Sequence, residues 1–253
     1  MSVIKKTVIA VLGVVVIAFA AVSIYIYVAG GSGEATREVQ ARRVEPRQEE
    51  ADDRTGREDD SDPQQPQPAP PRVYAAVPGR SEARFLIDEV LRGSPNTVTG
   101  RTDQVDGSLA VRLDPALIEI GEFEINLRTI ATDDEMRDRT IRSMILETNR
   151  DEYEFSTFVP TSIEGVPETI ELGATVNVQV KGDLTVRDVT RSVSFEMAIV
   201  LESEDEVRGS AGTSFTWDEF EISIPYVGGN SIVSAVDDTV RIEMDFLARA
   251  VDR

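Results

Sequence analysis

The sequence predicts an all-β domain, an antiparallel barrel or sandwich, that begins near residue 73 and carries one short helix. Apolar and polar residues alternate in two runs, 174–181 and 192–201. Because a β-strand points successive side chains to opposite faces, each run forms a strand with an apolar face and a wetter one. The segment between them, 182–191, contains Gly and Asp residues that favour a turn. The result is an antiparallel sheet whose apolar face must be covered.

The same alternation recurs along the rest of the domain. It is found at residues 85–87, 105–113, 123–127, 215–224 and 240–248. Turn signals rich in Gly, Pro, Asn and Asp separate these runs, at 93–96, 106–107, 114–115, 165–167, 228–230 and 237–238. Several strands with one apolar face, evenly separated by turns, are typical of a barrel or sandwich.

One stretch departs from this pattern and predicts a helix. Thr132-Asp133-Asp134-Glu135 contains the capping residues that begin a helix. The residues after it supply an apolar stripe: Met136, Ile141, Met144 and Ile145. Three arginines lie between them: Arg137, Arg139 and Arg142. We expect this helix to plug or cover one end of the barrel.

The N-terminal residues, 1–29, predict a transmembrane anchor. An uncharged apolar run extends from Thr7 to Val28. As a helix rising 1.5 Å per residue, this run is long enough to cross a bilayer core of ~30 Å. Tyr25 and Tyr27 lie at its far end, where amphipathic rings favour the membrane interface.

A cleaved signal peptide is the alternative for the same residues. Ala18-Phe19-Ala20 has the small-x-small pattern that signal peptidase accepts. The apolar run exceeds the ~7–15 residues of a signal-peptide core, which favours the anchor. In either case Lys5 and Lys6 hold the N-terminus in the cytoplasm. The domain is therefore predicted to be extracytoplasmic, periplasmic or extracellular, and secreted if cleavage occurs.

Residues 30–72 predict a disordered linker between the anchor and the barrel. The segment is rich in Gly, Glu, Asp, Arg, Gln and Pro and has few aliphatic residues. Such a composition buries too little apolar surface to offset the entropy of ordering. Its last part, 63–71, is Pro-rich and favours an extended spacer. A Pro-rich ligand for an aromatic groove is the less favoured alternative.

Composition argues against several classes of function. The net charge of -20 disfavours a nucleic-acid partner, which requires a basic surface. The chain contains no His and no Cys, so the commonest general base, the thiol nucleophile and a disulfide framework are missing. Carboxylate pairs such as Asp183 with Asp188 remain as glycosidase candidates, and Glu202–Glu206 as a calcium candidate. We read these acids as solvated turns, and expect no enzyme activity, cofactor or metal.

Four motifs resemble those of the YceI-like family. Gly182–Val193 is similar to its G-x-L-T-h-x-G-V-T-R-x-V signature, where h is apolar, with Asp188 at the position of the second Gly. The other three similar stretches are Leu146–Phe155, which lacks the family's Pro, Phe215–Ile222, and the closing strand Val236–Phe246. The resemblance spans nearly all of residues 73–250. It implies an eight-stranded, lipocalin-like antiparallel barrel that holds a polyisoprenoid or similar amphiphile, such as a quinone, in its interior.

The inward-facing residues are the candidates for an apolar ligand pocket. They are Phe85, Ile87, Val176, Val178, Phe195, Met197, Ile199, Phe215, Ile242, Met244 and Phe246. About eight strands closing on themselves leave an interior just wide enough for side chains or one slender ligand. For each of these residues taken singly, the alternative is an ordinary place in a filled core.

The helix arginines are the candidates for the ligand headgroup. Arg137, Arg139 and Arg142 cluster in an otherwise acidic domain, and guanidinium groups bind phosphate oxygens bidentately. The alternative is salt bridging to acids of the same helix. A structural or adhesive barrel without a ligand is the second reading of the whole domain. The sequence leaves homo-oligomer formation open.

Overall fold

The computed structural model describes residues 18, 20–46, 68–225 and 233–251, and its main feature is an antiparallel β-barrel. The described residues form ten strands, numbered in chain order. They are β1 (Arg72–Ala76), β2 (Glu82–Leu91), β3 (Ser94–Thr102), β4 (Val105–Leu113), β5 (Ala116–Asn126), β6 (Phe155–Glu164), β7 (Thr175–Val186), β8 (Val189–Ser203), β9 (Glu206–Thr216) and β10 (Val233–Ala250).

The sheet closes on itself through β1, which pairs with both β4 and β10. The ring runs β1-β4-β5-β6-β7-β8-β9-β10, so it contains eight strands, and every pairing is antiparallel. The β2–β3 hairpin continues the wall beside the first part of β10, with Ile242 opposite Phe85. The predicted eight-stranded barrel is therefore confirmed.

The interior of the barrel differs between its two ends. Towards one end, side chains meet across the axis and are almost completely buried, as for Leu109, Val180 and Val207. Towards the other end, inward side chains such as Phe215 and Ile242 are only partly buried. We call these the filled half and the open half.

The predicted turn over 182–191 is wrong for most of its length. Strand β7 continues to Val186, and only Arg187 and Asp188 form the turn. Arg187 takes the left-handed backbone conformation there, with φ of 58°. Gly182 lies within the strand, where a Cβ would come 2.6 Å from the ring of Phe158. This glycine provides space for a ring and does not mark a corner.

The predicted helix is confirmed and covers the rim of the open half. Helix α2 spans Glu135–Thr140 and continues as a π-helical turn over Ile141–Ile145. Asp134 is the N-cap, and its side chain accepts a hydrogen bond from the backbone N–H of Arg137 at 2.8 Å. We call residues 135–145 the lid helix.

The N-terminal part of the described chain contains a short helix, α1, over residues 20–29. Among the described residues, no helix is long and apolar enough to span a membrane. Most of the predicted span Thr7–Val28 lies outside the described residues, as does Phe19 of the predicted cleavage motif.

Residues 34–44 lie along the outer face of the barrel, and we call them the strap. Backbone N–H groups of the strap donate to the side chains of Glu154, Glu124 and Asp106 on the barrel. The predicted linker, 30–72, includes this part, and barrel carboxylates satisfy its polar backbone. Residues 47–67 lie outside the described residues.

Candidate functional site

The open half of the barrel encloses an apolar cavity of about 460 Å³. Its wall consists of inward side chains from the strands, and the lid helix contributes Thr140, Ile141 and Ile145. Residues after β9 contribute Trp217, Ile222 and Ile224. Aliphatic and aromatic groups dominate this lining, which suits an apolar ligand.

The structure divides the predicted pocket residues between the two halves. Seven of them line the cavity: Phe85, Ile87, Phe195, Met197, Phe215, Ile242 and Met244. Four others lie within the filled half as buried core: Val176, Val178, Ile199 and Phe246. All eleven lie on the inward faces of their strands. Their position along the barrel axis decides which of them border the cavity.

Several cavity residues were not among the predicted pocket residues. Phe123 and Phe158 lie on β5 and β6 and line the cavity. The alternation at 123–127 was a signal for the first of them. The lid residues Ile141 and Ile145 belong to the predicted apolar stripe of the helix. Trp217, the single Trp, lines the cavity, and its Nε1 donates to the carbonyl oxygen of Asp237 at 3.1 Å.

Of the three arginines proposed for the headgroup, only Arg137 lines the cavity. Its guanidinium forms an ion pair with Asp133 and lies 3.8 Å from Glu89, a buried acid of the cavity wall. Glu89 also accepts a hydrogen bond from Asn96 at 2.9 Å. Two carboxylates therefore already surround this guanidinium.

Arg84, on β2, is the other cation that lines the cavity within the described chain. It bonds Glu243 at 2.8 Å and Asp245 at 2.7 Å. Its pKa is raised, chiefly by the hydrogen bond to Asp245. Neither cation is left to balance an anionic ligand.

Arg139 and Arg142 contact the N-terminal segment. Arg139 pairs with Glu135 at 2.7 Å and also donates to the carbonyl oxygens of residues 27 and 31. Arg142 donates to the carbonyl oxygen of Gly30 at 2.6 Å, and burial lowers its pKa. Arg137 and Arg139 form local salt bridges, to Asp133 and Glu135, of the kind that is the alternative to headgroup contact.

Comparisons with known proteins agree with this architecture. The family model of the YceI-like domain matches residues 74–248. A solved polyisoprenoid-binding domain from Saccharophagus degradans, implicated in plant cell wall breakdown, is 13% identical with a TM-score of 0.53, and the match covers 70% of this chain and 98% of that one. BcnA from Burkholderia cenocepacia is 16% identical with a TM-score of 0.51, and the match covers 68% of this chain and 98% of that one. At these identities the solved structures establish likeness of fold. No curated protein matches the chain significantly.

Proposed function

The chain belongs to the YceI-like family, and on that premise we propose that it is an exported, membrane-anchored protein that binds a polyisoprenoid or similar amphiphile without transforming it. The observation that carries the proposal is the apolar cavity of about 460 Å³ in the open half. Pockets for small ligands measure ~300–1,000 Å³ and are mostly apolar. The ligand's tail lies among Phe85, Phe195 and Ile242.

The polar end of the ligand is neutral in this proposal, as in a quinone or a prenol. A phosphate requires cations that are free to pair with it. Each guanidinium that lines the cavity in the described chain already faces two carboxylates. A ligand hydroxyl can donate to the Glu89 carboxylate or to the hydroxyl oxygens of Thr140 and Ser156 on the wall, whose own protons go to the carbonyl oxygens of Met136 and Thr185.

The anchor and the extracytoplasmic location are supported by the sequence and by the surface of α1. The apolar run from Thr7 to Val28 is preceded by Lys5 and Lys6. Carbonate extraction and protease protection of the full chain in cells test both points. N-terminal sequencing of the isolated protein distinguishes a retained anchor from cleavage after Ala20.

Ligand binding is tested by native mass spectrometry with organic extraction. The protein is the chain from residue 31 onward, which retains the strap, purified without detergent. We expect a stoichiometric isoprenoid or other long-chain species. A ligand-free mass that stays unchanged after incubation with prenols and quinones would overturn the proposal and leave a structural or adhesive barrel as the better account.

A matched pair of variants locates the ligand. Ala211→Leu adds three carbons to the cavity wall, and Ala198→Leu adds the same atoms beside it on β8, away from the cavity. We expect the first variant to retain at least about tenfold less ligand, a loss of ~1.4 kcal/mol of binding free energy. The second variant is expected to retain ligand as the native chain does. Equal retention by both would place the ligand outside the cavity.

A further inference from the structure

The lid helix holds the C-terminal end of α1. Arg139 donates to the carbonyl oxygens of Tyr27 and Gly31 at 3.1 and 3.0 Å, and Arg142 donates to that of Gly30 at 2.6 Å. The last carbonyl groups of a helix have no partner within it, and cations stabilise that end. Gly30 packs so closely that a Cβ there would lie 2.7 Å from the Cβ of Arg139. The helix that borders the cavity therefore also fixes the N-terminal helix.

The exposed side of α1 is largely apolar, and within the described residues the guanidinium of Arg139 lies 4.5 Å from the ring centroid of Tyr27. Ile24, Tyr25, Tyr27 and Val28 are 63, 52, 60 and 72% exposed, whereas Ile26 is buried. The sequence before α1 continues this apolar character back to Thr7. Met136, on the lid helix, is also exposed, at 51%. Exposed apolar side chains thus collect where the chain enters the barrel.

Because the strap is docked on the barrel, it restricts the distance between α1 and the barrel more than a flexible linker would. Thr36 donates to Glu154 through its backbone N–H at 2.8 Å and its hydroxyl at 2.6 Å. Arg37 forms a bidentate pair with Glu124 at 2.7 and 2.8 Å. A free chain from residue 30 to 44 reaches roughly 50 Å at ~3.3–3.6 Å per residue. Docked in this way, the same residues hold the barrel beside α1.

The strap contacts continue to its far end. The backbone N–H of Ala41 and the guanidinium of Arg43 both bond Asp106, at 3.0 and 2.7 Å. The backbone N–H of Val44 donates to the hydroxyl of Ser108 at 2.8 Å. The attachment therefore extends over several residues and does not depend on one ion pair.

We propose that the open half of the barrel rests on the bilayer surface, with α1 entering the membrane beside the lid helix. An apolar ligand then passes between bilayer and cavity without crossing water. This inference rests on the proposed function, and it adds a lipid surface as the partner of one face of the barrel. The net charge of -20 repels anionic headgroups, so apolar contact and the anchor hold the barrel there.

Spin labels at the two ends of the barrel test this orientation. The chain has no Cys, so Met136→Cys and Leu172→Cys give single labels. Both native side chains are 51% exposed, but Leu172 lies by the filled half, where Gly173 bonds the carbonyl oxygen of Leu201. The full chain is placed in phosphatidylcholine nanodiscs that contain a nickel-chelating lipid. We expect fast nickel-induced relaxation at position 136 and little at 172.

Equal relaxation at the two positions, or faster relaxation at 172, would overturn the proposal. The double variant Arg139→Gln/Arg142→Gln is expected to reduce the difference between the labels at least about twofold. Arg150→Gln, an exposed arginine paired with Glu147 and Glu152, is the control and should leave the difference unchanged. An unchanged difference in the double variant would also contradict the inference that Arg139 and Arg142 hold α1 against the lid helix.

The same nanodisc samples separate this inference from the proposed function. Ligand bound to the protein is measured by mass spectrometry after release from the disc. A filled cavity with equal label relaxation overturns the orientation and supports the ligand proposal. An empty cavity with fast relaxation at position 136 alone supports the orientation and overturns the ligand proposal.

Discussion

The filled and open halves of the barrel are built from the same alternating strands, yet one is a packed core and the other a cavity. Strand β10 contributes to both, since Phe246 is buried in the filled half and Ile242 lines the cavity four residues earlier. In the filled half, side chains from opposite walls meet. In the open half, the lid helix and the residues after β9 border the space without filling it. Alternation therefore determines which face of a strand is apolar, and the contacts across the axis determine whether that face is packed.

The dense packing of the filled half depends in part on glycines that make room for aromatic rings from neighbouring strands. Phe246 lies opposite Gly209 on β9, and a Cβ on that glycine would fall 2.2 Å from the ring. The ring occupies the position of the missing side chain and packs 5.9 Å from Phe123, between ring centroids. Aromatic pairs at such distances stabilise a core beyond the area they bury. A glycine on one strand thus provides space for a ring from the next.

The largest expected difference between the halves comes from the same truncation made in each. Ile118→Ala, in the filled half, is expected to lower the free energy of unfolding by about 2–5 kcal/mol, because Ile118 is 2% exposed and its loss leaves a void. Ile242→Ala is expected to cost about 1 kcal/mol, since this side chain already borders a cavity. Urea denaturation of the ligand-free protein measures both. Equal losses would show that the two halves are packed alike.

A smaller effect is expected from the strap, which supports the wall of the barrel from outside. Burial raises the pKa of Glu124, but hydrogen bonds from Arg37 and the backbone of Gln40 outweigh it and leave that pKa below its ordinary value. The interaction of Arg37 with ionised Glu124 therefore stabilises the fold at neutral pH, and this stabilisation is lost as the pH falls through the lowered pKa of Glu124. Arg37→Gln should cost about 1–2 kcal/mol at pH 7 and progressively less in acid.

Urea denaturation at several pH values between 7 and 3 measures how much Arg37→Gln lowers the free energy of unfolding at each pH. Arg42→Gln is the matched control, because Arg42 is an exposed arginine of the same strap. It should be nearly neutral at every pH. A cost of Arg37→Gln that stays constant down to pH 3 would contradict the assigned role of the Glu124 carboxylate.

The smallest effect is expected at the rim of the open half. Arg137→Gln removes a guanidinium that is paired with Asp133 and near Glu89. Ion pairs of this kind contribute ~0.3–0.5 kcal/mol, so stability should change little. Retention of a neutral ligand should stay within about twofold, as measured by extraction and mass spectrometry. A loss of tenfold or more would instead assign an anionic headgroup to Arg137.

Much of this architecture follows from local sequence patterns. The alternation at 174–181 places Val176, Val178 and Val180 on one face whatever the neighbouring strands do. The Asp134 cap and the apolar stripe through Ile141 and Ile145 are likewise local, and the helix lies where they predict it. Three of the four family-like motifs contain parts of strands, in order from β7 to β10. For these features the physical cause lies within a few residues of the chain.

Other features needed the folded chain, because their causes lie between distant residues. Val178 and Met197 are paired across β7 and β8, yet only Met197 lines the cavity. Gly182 is a residue type typical of turns, but it lies within β7, where its missing side chain leaves space for the ring of Phe158. Thr36 lies in a segment of low hydrophobicity, but its docking depends on the buried Glu154, 118 residues away.

The sequence by itself determined the strands, their apolar faces, the lid helix and the family resemblance, since periodicity and capping act over short stretches. Only the tertiary structure decided the register that closes β1 onto β10, the division of the interior into filled and open halves, and the roles of the helix arginines. Each of these depends on volume or charge contributed by several distant elements at once. Arg139 and Arg142, predicted to meet a headgroup, hold the backbone of residues 27–31 instead.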